Sequence, residues 1–560
     1  MPTFRDQRSL FRAYDIRGHH EQFTDNFIFA LGVAFAKLFT ELNFDGQIIV
    51  IGFDVRLKSD DIAENLASVL AAFGFKVKVL GLITTPMMAF WAQQFDGHGI
   101  MVTASHSDKD TLGIKWIIEN NSASETDIAA LYQRLTSAPK QLILNTQNID
   151  YLPTKLVFDT YIHAIAQVFT KIYPKPDSKL PFTIVIDCMN GATSGIAKAL
   201  FPRFCQRVIL INDIPDGKFP NGNPDPTEPN RLAELQQSVI VLDADLGLAF
   251  DGDGDRLMIV DNRGKVVAPD HLLYLLANAA LSCQTELNAR DSKQVLFDIK
   301  CSHHLPKLLQ NLGAIPVMTR TGSSILRQEL DARQDSALFA GELSGHFIFN
   351  DGLFIRYDDA IYASLRLLFW LDNQSQLAYQ SQLAAPKQSF QLTDNWGEPK
   401  SQNRYQLTDI TQALPLMVST ADHYLPLGAS AHQQPLACSI VSHLALLCQQ
   451  LQAIAANLDA NASVIQLCDC DDCPKINISK SQAQQLLPKG TVLNCIDGVR
   501  LDFASGFGVL RKSNTSHSLT VRFAGDSVAD LLEIRSRFVA LCQWFDIDLA
   551  QKIAGLLPEC

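Results

Sequence analysis

The sequence predicts an α/β protein with three similar mixed α/β domains and a smaller C-terminal α+β domain. Three stretches share one pattern, in which an apolar strand, a polar loop, a helix and a second apolar strand follow one another, and they begin near Ile48, Thr183 and Val295. Strands that alternate with helices indicate βαβ units with right-handed crossovers. In the first stretch, Ser59 is the predicted N-cap of the helix. The tail from about Ile476 differs, because short strand-like runs precede one helical segment.

Because 560 residues are too many for one hydrophobic core, several domains are expected. The patterns predict an α/β domain with a serine-bearing loop at 1–157, an α/β domain with a carboxylate loop at 158–267, a third α/β domain at 268–372, an insertion or extended linker at 373–460 and an α+β domain at 461–560. We assign no chemistry to the insertion.

Composition and charge exclude several classes of function. Apolar residues make up 47% of the chain and charged residues 19%, which is typical of a soluble folded protein. The net charge of −12 argues against a general nucleic-acid partner. No apolar stretch is long enough to cross a bilayer, and the first residues lack the apolar core of a signal peptide, so we expect a cytoplasmic protein without a membrane partner. Twelve cysteines in so long a chain indicate a reducing compartment and no disulfide framework.

The strongest single motif is DGDGDR, residues 251–256, which lies between two apolar strands. Asp251, Asp253 and Asp255 stand at alternate positions, and three carboxylates can turn toward one hard cation such as magnesium. An EF-hand would need Gly and Glu where Arg256 and Asn262 stand, so that interpretation fails. A solvated acidic hairpin remains the alternative. Arg256 adds a cation that could face a phosphate or ester oxygen.

The second motif is TASHSDKDTLGIK, residues 103–115, in which an apolar strand ends at Ser105. A serine at a strand end can project its hydroxyl into a cleft, where a base or a metal would activate it. His106 follows it, and Lys115 lies ten positions beyond it. The alternatives are an ordinary polar turn and an acyl-transfer triad, although no G-x-S-x-G motif surrounds the serine. The two motifs support each other, because a phosphorylated serine would fill open positions on a cation held by the aspartates.

Two further polar clusters suit a sugar phosphate. In GELSGH, residues 341–346, Glu342 can accept hydrogen bonds from a vicinal diol and Ser344 can donate or accept. In RKSNT, residues 511–515, hydroxyls, amides and a guanidinium would form a phosphate cradle, which Arg522 could assist. Taken alone, each cluster could also be an ordinary capped loop or hairpin.

Taken together, these motifs resemble the α-D-phosphohexomutase family, especially its phosphomannomutase/phosphoglucomutase branch. The similar segments cover nearly the whole chain apart from 373–460, and they are FRAYDIRG at 11–18, TASH at 103–106, NGNPDP at 221–226, DGDGDR at 251–256, GELSGH at 341–346 and RKSNT at 511–515.

The resemblance implies four domains around a central cleft, with the roles of the site residues as follows. Ser105 is the expected phosphoserine, and Asp251, Asp253 and Asp255 would bind Mg²⁺ together with it. Arg17, His106, Lys115, Arg256 and Lys300 would line the reaction centre, with Lys115 the candidate general acid/base. Glu342, Ser344 and His346 would face the sugar, and Arg511, Ser513, Asn514 and Thr515 would hold the phosphate already on the substrate.

The resemblance also implies the reaction. A hexose 1-phosphate and a hexose 6-phosphate would interconvert through a bisphosphorylated sugar, with glucose 1,6-bisphosphate or a similar compound as activator, in a monomer or small homo-oligomer. Three departures weaken the acid/base assignment: Ser107-Asp108 after the serine and histidine, Leu112-Gly113 before the lysine, and Ser323 where this branch commonly has histidine. A non-catalytic sugar-phosphate-binding regulator and a phosphoglucosamine mutase are the alternative functions.

Overall fold

The structure is a computed structural model, and it describes residues 4–44, 46–135, 146–173, 179–283, 293–384, 406–426, 439–456, 462–467, 475–513 and 518–558. The chain divides into two compact units. Unit 1 comprises Met1–Leu296, Leu312–Ile315 and Ser323–Leu414, and unit 2 comprises Phe297–Asn311, Pro316–Gly322 and Pro415–Cys560.

Unit 1 begins with a seven-stranded mixed sheet. Its strands are β1 (Ile16–His19), β2 (Ile48–Phe53), β3 (Lys76–Leu82), β4 (His98–Val102), β5 (Thr111–Ile118), β6 (Asn121–Ser122) and β7 (Ile149–Tyr151), and its helices are α1 (Asp25–Glu41), α2 (Ser59–Ala72), α3 (Thr85–Gln93) and α4 (Glu125–Arg134), with 3-10 helices at Arg5–Leu10 and His20–Gln22. The order is β1-β5-β4-β2-β3-β7, with β6 paired to β5. β2 runs parallel to β3 and β4, whereas β5 is antiparallel to β4 and β1.

An apolar core between helix α1 and the strands stabilises this sheet. Helix α1 buries Phe27, Phe35 and Phe39 in one apolar cluster with Ile51 and Val102 from the strands. The polar loop that contains Ser105 follows the carboxyl end of β4. The predicted N-cap at Ser59 is wrong by one residue, because Lys58 precedes the helix in the left-handed conformation. The Ser59 hydroxyl instead donates to Asp54 at 2.8 Å.

A second, four-stranded sheet follows, with three parallel strands and one antiparallel strand. Its strands are β8 (Leu180–Asp187), β9 (Cys205–Ile211), β10 (Leu246–Phe250) and β11 (Leu257–Asp261), and the helices of this region are α5 (Thr154–Ile172), α6 (Thr193–Phe204) and α7 (Ala233–Val241). The order is β11-β10-β8-β9. β10 and β11 are antiparallel neighbours whose residues are all buried, so the DGDGDR segment between them is a short connection between two core strands.

The third α/β region contains α8 (Pro269–Ser282), β12 (Gln294–Asp298), α9 (Leu305–Asn311), β13 (Ile315–Thr319), α10 (Ser323–Ala332), β14 (Ala337–Gly341), β15 (Phe347–Phe349) and α11 (Ala360–Ala384). β14 and β15 are antiparallel, and their connection carries the GELSGH motif. The mixed α/β class predicted from the sequence is therefore confirmed.

The remaining elements are α12 (Leu407–Thr411), β16 (Val418–Ser419), β17 (His423–Pro426), α13 (Ile440–Ala456), β18 (Ala462–Gln466), β19 (Lys475–Ser479), α14 (Lys480–Leu486), β20 (Val492–Asn494), β21 (Val499–Phe503), β22 (Gly506–Lys512), β23 (Ser518–Gly525), α15 (Val528–Cys542) and α16 (Ile547–Ala554). The main sheet of unit 2 has the order β16-β23-β22-β21-β20, with β17 also paired to β23. Helices α13, α15 and α16 bury leucine and isoleucine side chains against it.

The structure differs from the predicted linker at 373–460. β16 and β17 are strands of the main sheet of unit 2, and α13 contributes Leu444, Leu447 and Leu451 to its apolar core. Short strands and a polar surrounding sequence hid this contribution, because a two-residue strand has no period to detect. The polar segment at 386–405 lies outside the described residues.

Across the described part of the chain, no helix combines the length and apolar character that a membrane span requires. The seven cysteines described are free thiols.

Candidate active site

The two loops that carry the strongest motifs meet in unit 1. The Ser105 hydroxyl donates to Asp251 Oδ2 at 2.7 Å, although the two residues lie 146 positions apart. The loops are in backbone contact as well, because a Cβ built on Gly252 would lie 2.5 Å from the Ser105 carbonyl oxygen. Ser105 itself has a left-handed backbone, with φ at 53°. A non-glycine residue in this conformation is uncommon and is held by its surroundings.

Asp251 is oriented by the backbone of its own loop. Its Oδ1 accepts hydrogen bonds from the amides of Gly254, Asp255 and Arg256 at 3.0, 3.1 and 3.1 Å. Burial, and then the nearby carboxylates of Asp255 and Asp253, raise the pKa of Asp251 well above its ordinary value. Three acids buried close together repel one another, so positive charge beside them is stabilising.

Each of the other two aspartates has one carboxylate oxygen that accepts no hydrogen bond. Asp253 Oδ1 and Asp255 Oδ1 are buried, and neither has a hydrogen-bond partner. One carboxylate oxygen from each of the three aspartates lies within 4.8 Å of the others. Buried, unsatisfied carboxylate oxygens that converge in this way fit a hard divalent cation. The residues present therefore fit a metal ion.

Lys115 lies against the opposite oxygens of the same acids. Its Nζ donates to Asp253 Oδ2 at 2.8 Å and to Asp255 Oδ2 at 2.7 Å. Burial acts to lower the pKa of this ammonium, but the two carboxylates outweigh it, and the net pKa lies above the ordinary lysine value. Lys115 is therefore a charged, buried counter-ion in this arrangement.

A chain of polar contacts runs from Ser105 to the third domain region. His106 Nδ1 lies 3.3 Å from Ser105 Oγ, and Arg256 Nη2 lies 3.4 Å from His106 Nε2. Arg256 Nε donates to His346 Nε2 at 3.1 Å. Burial, and then Arg256, hold the pKa of His106 well below its ordinary value, so this ring is neutral near neutral pH.

The GELSGH loop follows β14 and joins the same site. Glu342 accepts a hydrogen bond from the Ser344 hydroxyl, and its Oε1 lies 3.9 Å from His346 Nε2. His346 Nδ1 lies 2.7 Å from Asp358 Oδ2. The loop is attached to the carboxylate loop through the backbone, because the Leu257 amide donates to the Gly345 carbonyl at 2.9 Å.

Arg17 reaches the loop of Ser105 from β1. Its Nη1 donates to the Ser107 hydroxyl at 2.9 Å, and its Nη2 pairs with Asp15 Oδ2 at 2.7 Å. Unit 1 thus brings together Ser105, His106, Lys115, Arg17, Arg256, Glu342, Ser344, His346 and the three aspartates.

Sequence reasoning missed Arg56, which holds the serine loop by its carbonyl groups. Its guanidinium donates to the carbonyls of Ser105 at 2.8 Å, Ser107 at 2.5 Å and Thr111 at 2.9 Å, and also to that of Asp108. Asp54 lies 3.2 Å from Arg56 Nε. The only sequence signal was the FDVR segment at the end of an apolar strand, where polar residues of α/β proteins commonly serve a site.

In unit 2, Lys300 has an acidic partner from the predicted linker. Its Nζ donates to Asp422 Oδ2 at 2.7 Å, and Arg522 Nη1 lies 3.3 Å from Asp422 Oδ1. Although burial acts to raise it, Lys300 and Arg522 lower the pKa of Asp422 below its ordinary value. The region predicted as a linker therefore contributes a partly buried carboxylate beside a predicted site residue.

The predicted phosphate cradle is described in part. Arg511 Nε donates to Asp497 Oδ2 at 2.7 Å, and the Ser513 amide donates to the Ser518 carbonyl at 2.8 Å. Asn514 and Thr515 lie outside the described residues.

Comparison with family models supports this reading of the fold. Residues 8–141 match the phosphoglucomutase/phosphomannomutase alpha/beta/alpha domain I, residues 159–264 match domain II and residues 268–387 match domain III of the same family.

Individual relatives match over nearly the full length. The chain is 30% identical to a phosphomannomutase/phosphoglucomutase of Pseudomonas syringae pv. tomato over 95% of this chain and 94% of the relative. It is 28% identical to a phosphoglucomutase of Neisseria gonorrhoeae over 96% of this chain and 97% of the relative. A solved phosphoglucomutase/phosphomannomutase family protein from Burkholderia thailandensis superimposes with a TM-score of 0.69 at 27% identity, covering 98% and 99% of the two chains.

Proposed function

The chain belongs to the phosphoglucomutase/phosphomannomutase family of α-D-phosphohexomutases, and we propose on that premise that it moves phosphate between two positions of a hexose through Ser105. The observation that carries this proposal is the 2.7 Å contact between the Ser105 hydroxyl and Asp251. In this contact, the hydroxyl oxygen that would carry the phosphoryl group lies beside a cluster of acids whose oxygens fit a cation.

The reaction would take place in two transfers. Phosphoserine 105 loses its phosphoryl group to a sugar hydroxyl, so that one Oγ–P bond breaks and one sugar O–P bond forms. The resulting bisphosphorylated sugar turns around and returns its other phosphate to Ser105. In each transfer one hydroxyl gives up a proton and the other oxygen gains one. Such transfers depend on positioning and on neutralising charge.

Asp251, Asp253 and Asp255 are the proposed ligands of Mg²⁺, together with the phosphate on Ser105. Mg²⁺ would neutralise negative charge on the transferring phosphoryl group. The unsatisfied oxygens of Asp253 and Asp255 support this assignment.

His106 and Lys115 are the groups placed to handle protons. Because Arg256 approaches His106 Nε2, the proton of the neutral ring belongs on Nδ1, and this nitrogen lies 3.3 Å from Ser105 Oγ. Lys115 is charged where it lies, so we propose that it acts as an electrostatic stabiliser, and it remains the candidate general acid/base that the resemblance implies. With Ser323 at the position where this branch commonly has histidine, the remaining proton transfer would fall to Lys115 or His346.

The sugar and its resting phosphate would be held by the other predicted residues. Glu342 and Ser344 offer a hydrogen-bonding pair for adjacent hydroxyls. We propose that Arg511, Ser513, Asn514 and Thr515 hold the phosphate, and Lys300 is a further residue that the family resemblance implies for the reaction. We propose a hexose phosphate as the substrate, glucose 1,6-bisphosphate as the activator and the cytoplasm as the location.

Intact-mass measurement before and after glucose 1,6-bisphosphate tests the proposal most directly. We expect the mass of one added phosphate, mapped by peptide sequencing to Ser105. The Ser105→Ala variant should show neither the phosphate nor turnover, while it still binds substrate. Ser282→Ala is the control, because this serine hydroxyl donates to the Asn278 carbonyl within α8 at 2.8 Å, and the variant should leave the phosphate in place. Full turnover by the Ser105→Ala variant would refute the mechanism.

A coupled assay on mannose 1-phosphate, glucose 1-phosphate and glucosamine 1-phosphate defines the substrate. Activity on the first two is expected. Binding without turnover on all three, with no phosphate on Ser105, would instead identify a non-catalytic sugar-phosphate regulator.

A further inference from the structure

Two adjacent histidines meet one carboxylate in unit 2, and none of these three residues has been assigned a role above. His303 and His304 lie in the loop between β12 and α9, and Asp526 directly follows β23. His303 Nε2 lies 3.1 Å and His304 Nε2 lies 2.8 Å from the same oxygen, Asp526 Oδ1. One nitrogen of each ring and one carboxylate oxygen thus converge within 4.8 Å of one another.

The contacts within the described residues do not account for His303. Both of its ring nitrogens are buried and neither makes a hydrogen bond, since its 3.1 Å contact with Asp526 lacks the required alignment. The side chain is 10% exposed. A buried polar group without a partner normally indicates a missing ligand or water.

The ligand set points to a class of metal. Two imidazoles and one carboxylate suit Zn²⁺ and similar transition-metal ions, whereas Mg²⁺ prefers oxygen ligands alone. Ligand atoms about 2.0–2.1 Å from a tetrahedral ion lie about 3.3 Å from each other. The separations of 3.1 and 2.8 Å are close to this value, so small side-chain movements would admit an ion, with water as the fourth ligand.

Two other clusters in the described residues have similar composition but fit less well. His19, His20 and Glu21 converge, but the side chains of His19 and Glu21 are 50% and 79% exposed. Asp255, His346 and Asp358 also converge, but Asp255 is already one of the three aspartates proposed to bind Mg²⁺, and Arg327 pairs with Asp358.

We propose that His303, His304 and Asp526 bind one Zn²⁺-class divalent ion, at a site separate from the three aspartates of DGDGDR. The ion would link the loop that follows Lys300 to the end of β23. Since Lys300 is three residues from His303, the ion would also restrain the backbone that carries this lysine.

The test uses the full-length protein, stripped with a chelator and titrated with Zn²⁺ in excess Mg²⁺, which keeps the oxygen-only site occupied. Bound zinc is measured after gel filtration, and Co²⁺ is substituted for its visible spectrum, which reports nitrogen ligation. We expect one tightly bound ion per chain. The His303→Asn/His304→Asn variant should lose it, with affinity lower by roughly tenfold or more.

The matched control is the His19→Asn/His20→Asn variant, which removes another adjacent pair of histidines and should bind zinc like the wild type. The single variants His304→Asn and Asp526→Asn change more exposed side chains, and they extend the test if the double variant fails to fold. Equal zinc affinity in the wild type and in the His304→Asn and Asp526→Asn variants would overturn the proposal, as would loss of zinc in the control alone.

Discussion

At the scale of single residues, Arg56 defines the backbone that presents Ser105. One buried guanidinium binds the carbonyls of Ser105, Ser107 and Thr111. Arginine suits this task because its planar donors have fixed directions, which a lysine ammonium does not reproduce. Without this guanidinium, the buried Ser105 carbonyl and the partly buried carbonyls of Ser107 and Thr111 would lose these hydrogen bonds.

The Arg56→Lys variant should therefore lower kcat by about a hundredfold, because an error of about 1 Å in the position of a reacting atom has effects of this size. KM should change much less, since Arg56 contacts the loop and not the predicted sugar-binding residues. Steady-state kinetics measure both. Arg134→Lys is the control, because Arg134 pairs with the exposed Glu41, and it should retain wild-type kinetics. A raised KM with unchanged kcat in Arg56→Lys would contradict this role.

Asp359 is a buried carboxylate whose protonation should influence stability. It accepts hydrogen bonds from the Tyr161 hydroxyl at 2.6 Å and the Tyr362 amide at 3.0 Å. Burial raises the pKa of Asp359 from 3.8 to about 6, although these hydrogen bonds oppose the rise. Because the folded state binds this proton more tightly than the unfolded state, the stabilising effect is complete below pH 3.8 and is lost as the pH rises through about 6.

The Asp359→Asn variant, which is neutral at every pH, should become more stable relative to the wild type as the pH rises from about 4 to 6. The full difference is about 3 kcal/mol for a shift of about two pKa units. Urea unfolding at a series of pH values measures it. Tyr161→Phe removes a hydrogen bond that lowers the pKa of Asp359. In this variant the change in stability should therefore occur at higher pH. If the free energies of unfolding of the wild type and of Asp359→Asn changed in parallel with pH, the raised pKa of Asp359 would be ruled out.

At the scale of elements, the loop after β4 and the loop after β10 pack backbone against backbone. The space between them leaves no room for a side chain at Gly252, where a Cβ would also lie 3.0 Å from Pro224 Cγ. Glycine permits this close approach.

The Gly252→Ala variant should separate the loops, lowering the free energy of unfolding by about 1–3 kcal/mol and weakening Mg²⁺ binding. Thermal unfolding and magnesium titration measure the two effects. Gly555→Ala is the control, since its nearest contact would be 3.6 Å. Unchanged magnesium affinity in Gly252→Ala would show that the loops do not depend on each other.

Sequence reasoning identified the strands and helices that have a long pattern of apolar residues, and it missed the short strands that have none. The strand before Ser105 and the two strands around the aspartates are continuous apolar runs, and their polar connections were visible as motifs. β16 and β17 have two and four residues, too few to show alternation. Asp422 was therefore unassigned although it pairs with Lys300. Arg56 was missed because its partners are backbone carbonyl groups. Every residue has such a group, so the sequence does not show which of them an arginine will bind.

At the scale of the whole molecule, each unit has its own apolar core, and metal binding should stabilise them unequally. The aspartates of DGDGDR belong to unit 1, whereas the core of α13, α15 and α16 belongs to unit 2. A ligand that binds only the folded state stabilises the part of the molecule that holds its site.

Mg²⁺ at a hundred times its Kd should therefore stabilise the transition of unit 1 by about 2.7 kcal/mol, and a chelator should reverse the effect. Differential scanning calorimetry measures the transitions. Asp253→Asn should abolish the response, whereas Asp422→Asn, an acid of unit 2, should retain it. An undiminished shift in Asp253→Asn would exclude the three aspartates as the magnesium site.

The left-handed backbone of Ser105 sets the stability of the fold against the proposed catalytic role of this residue. In this conformation an L-amino acid with a Cβ is strained by roughly 1–2 kcal/mol, whereas glycine is not. Selection for heat resistance alone would favour glycine there, but glycine has no hydroxyl to carry the phosphate that we propose for Ser105. Thermostable versions of this enzyme must therefore gain their stability at other positions.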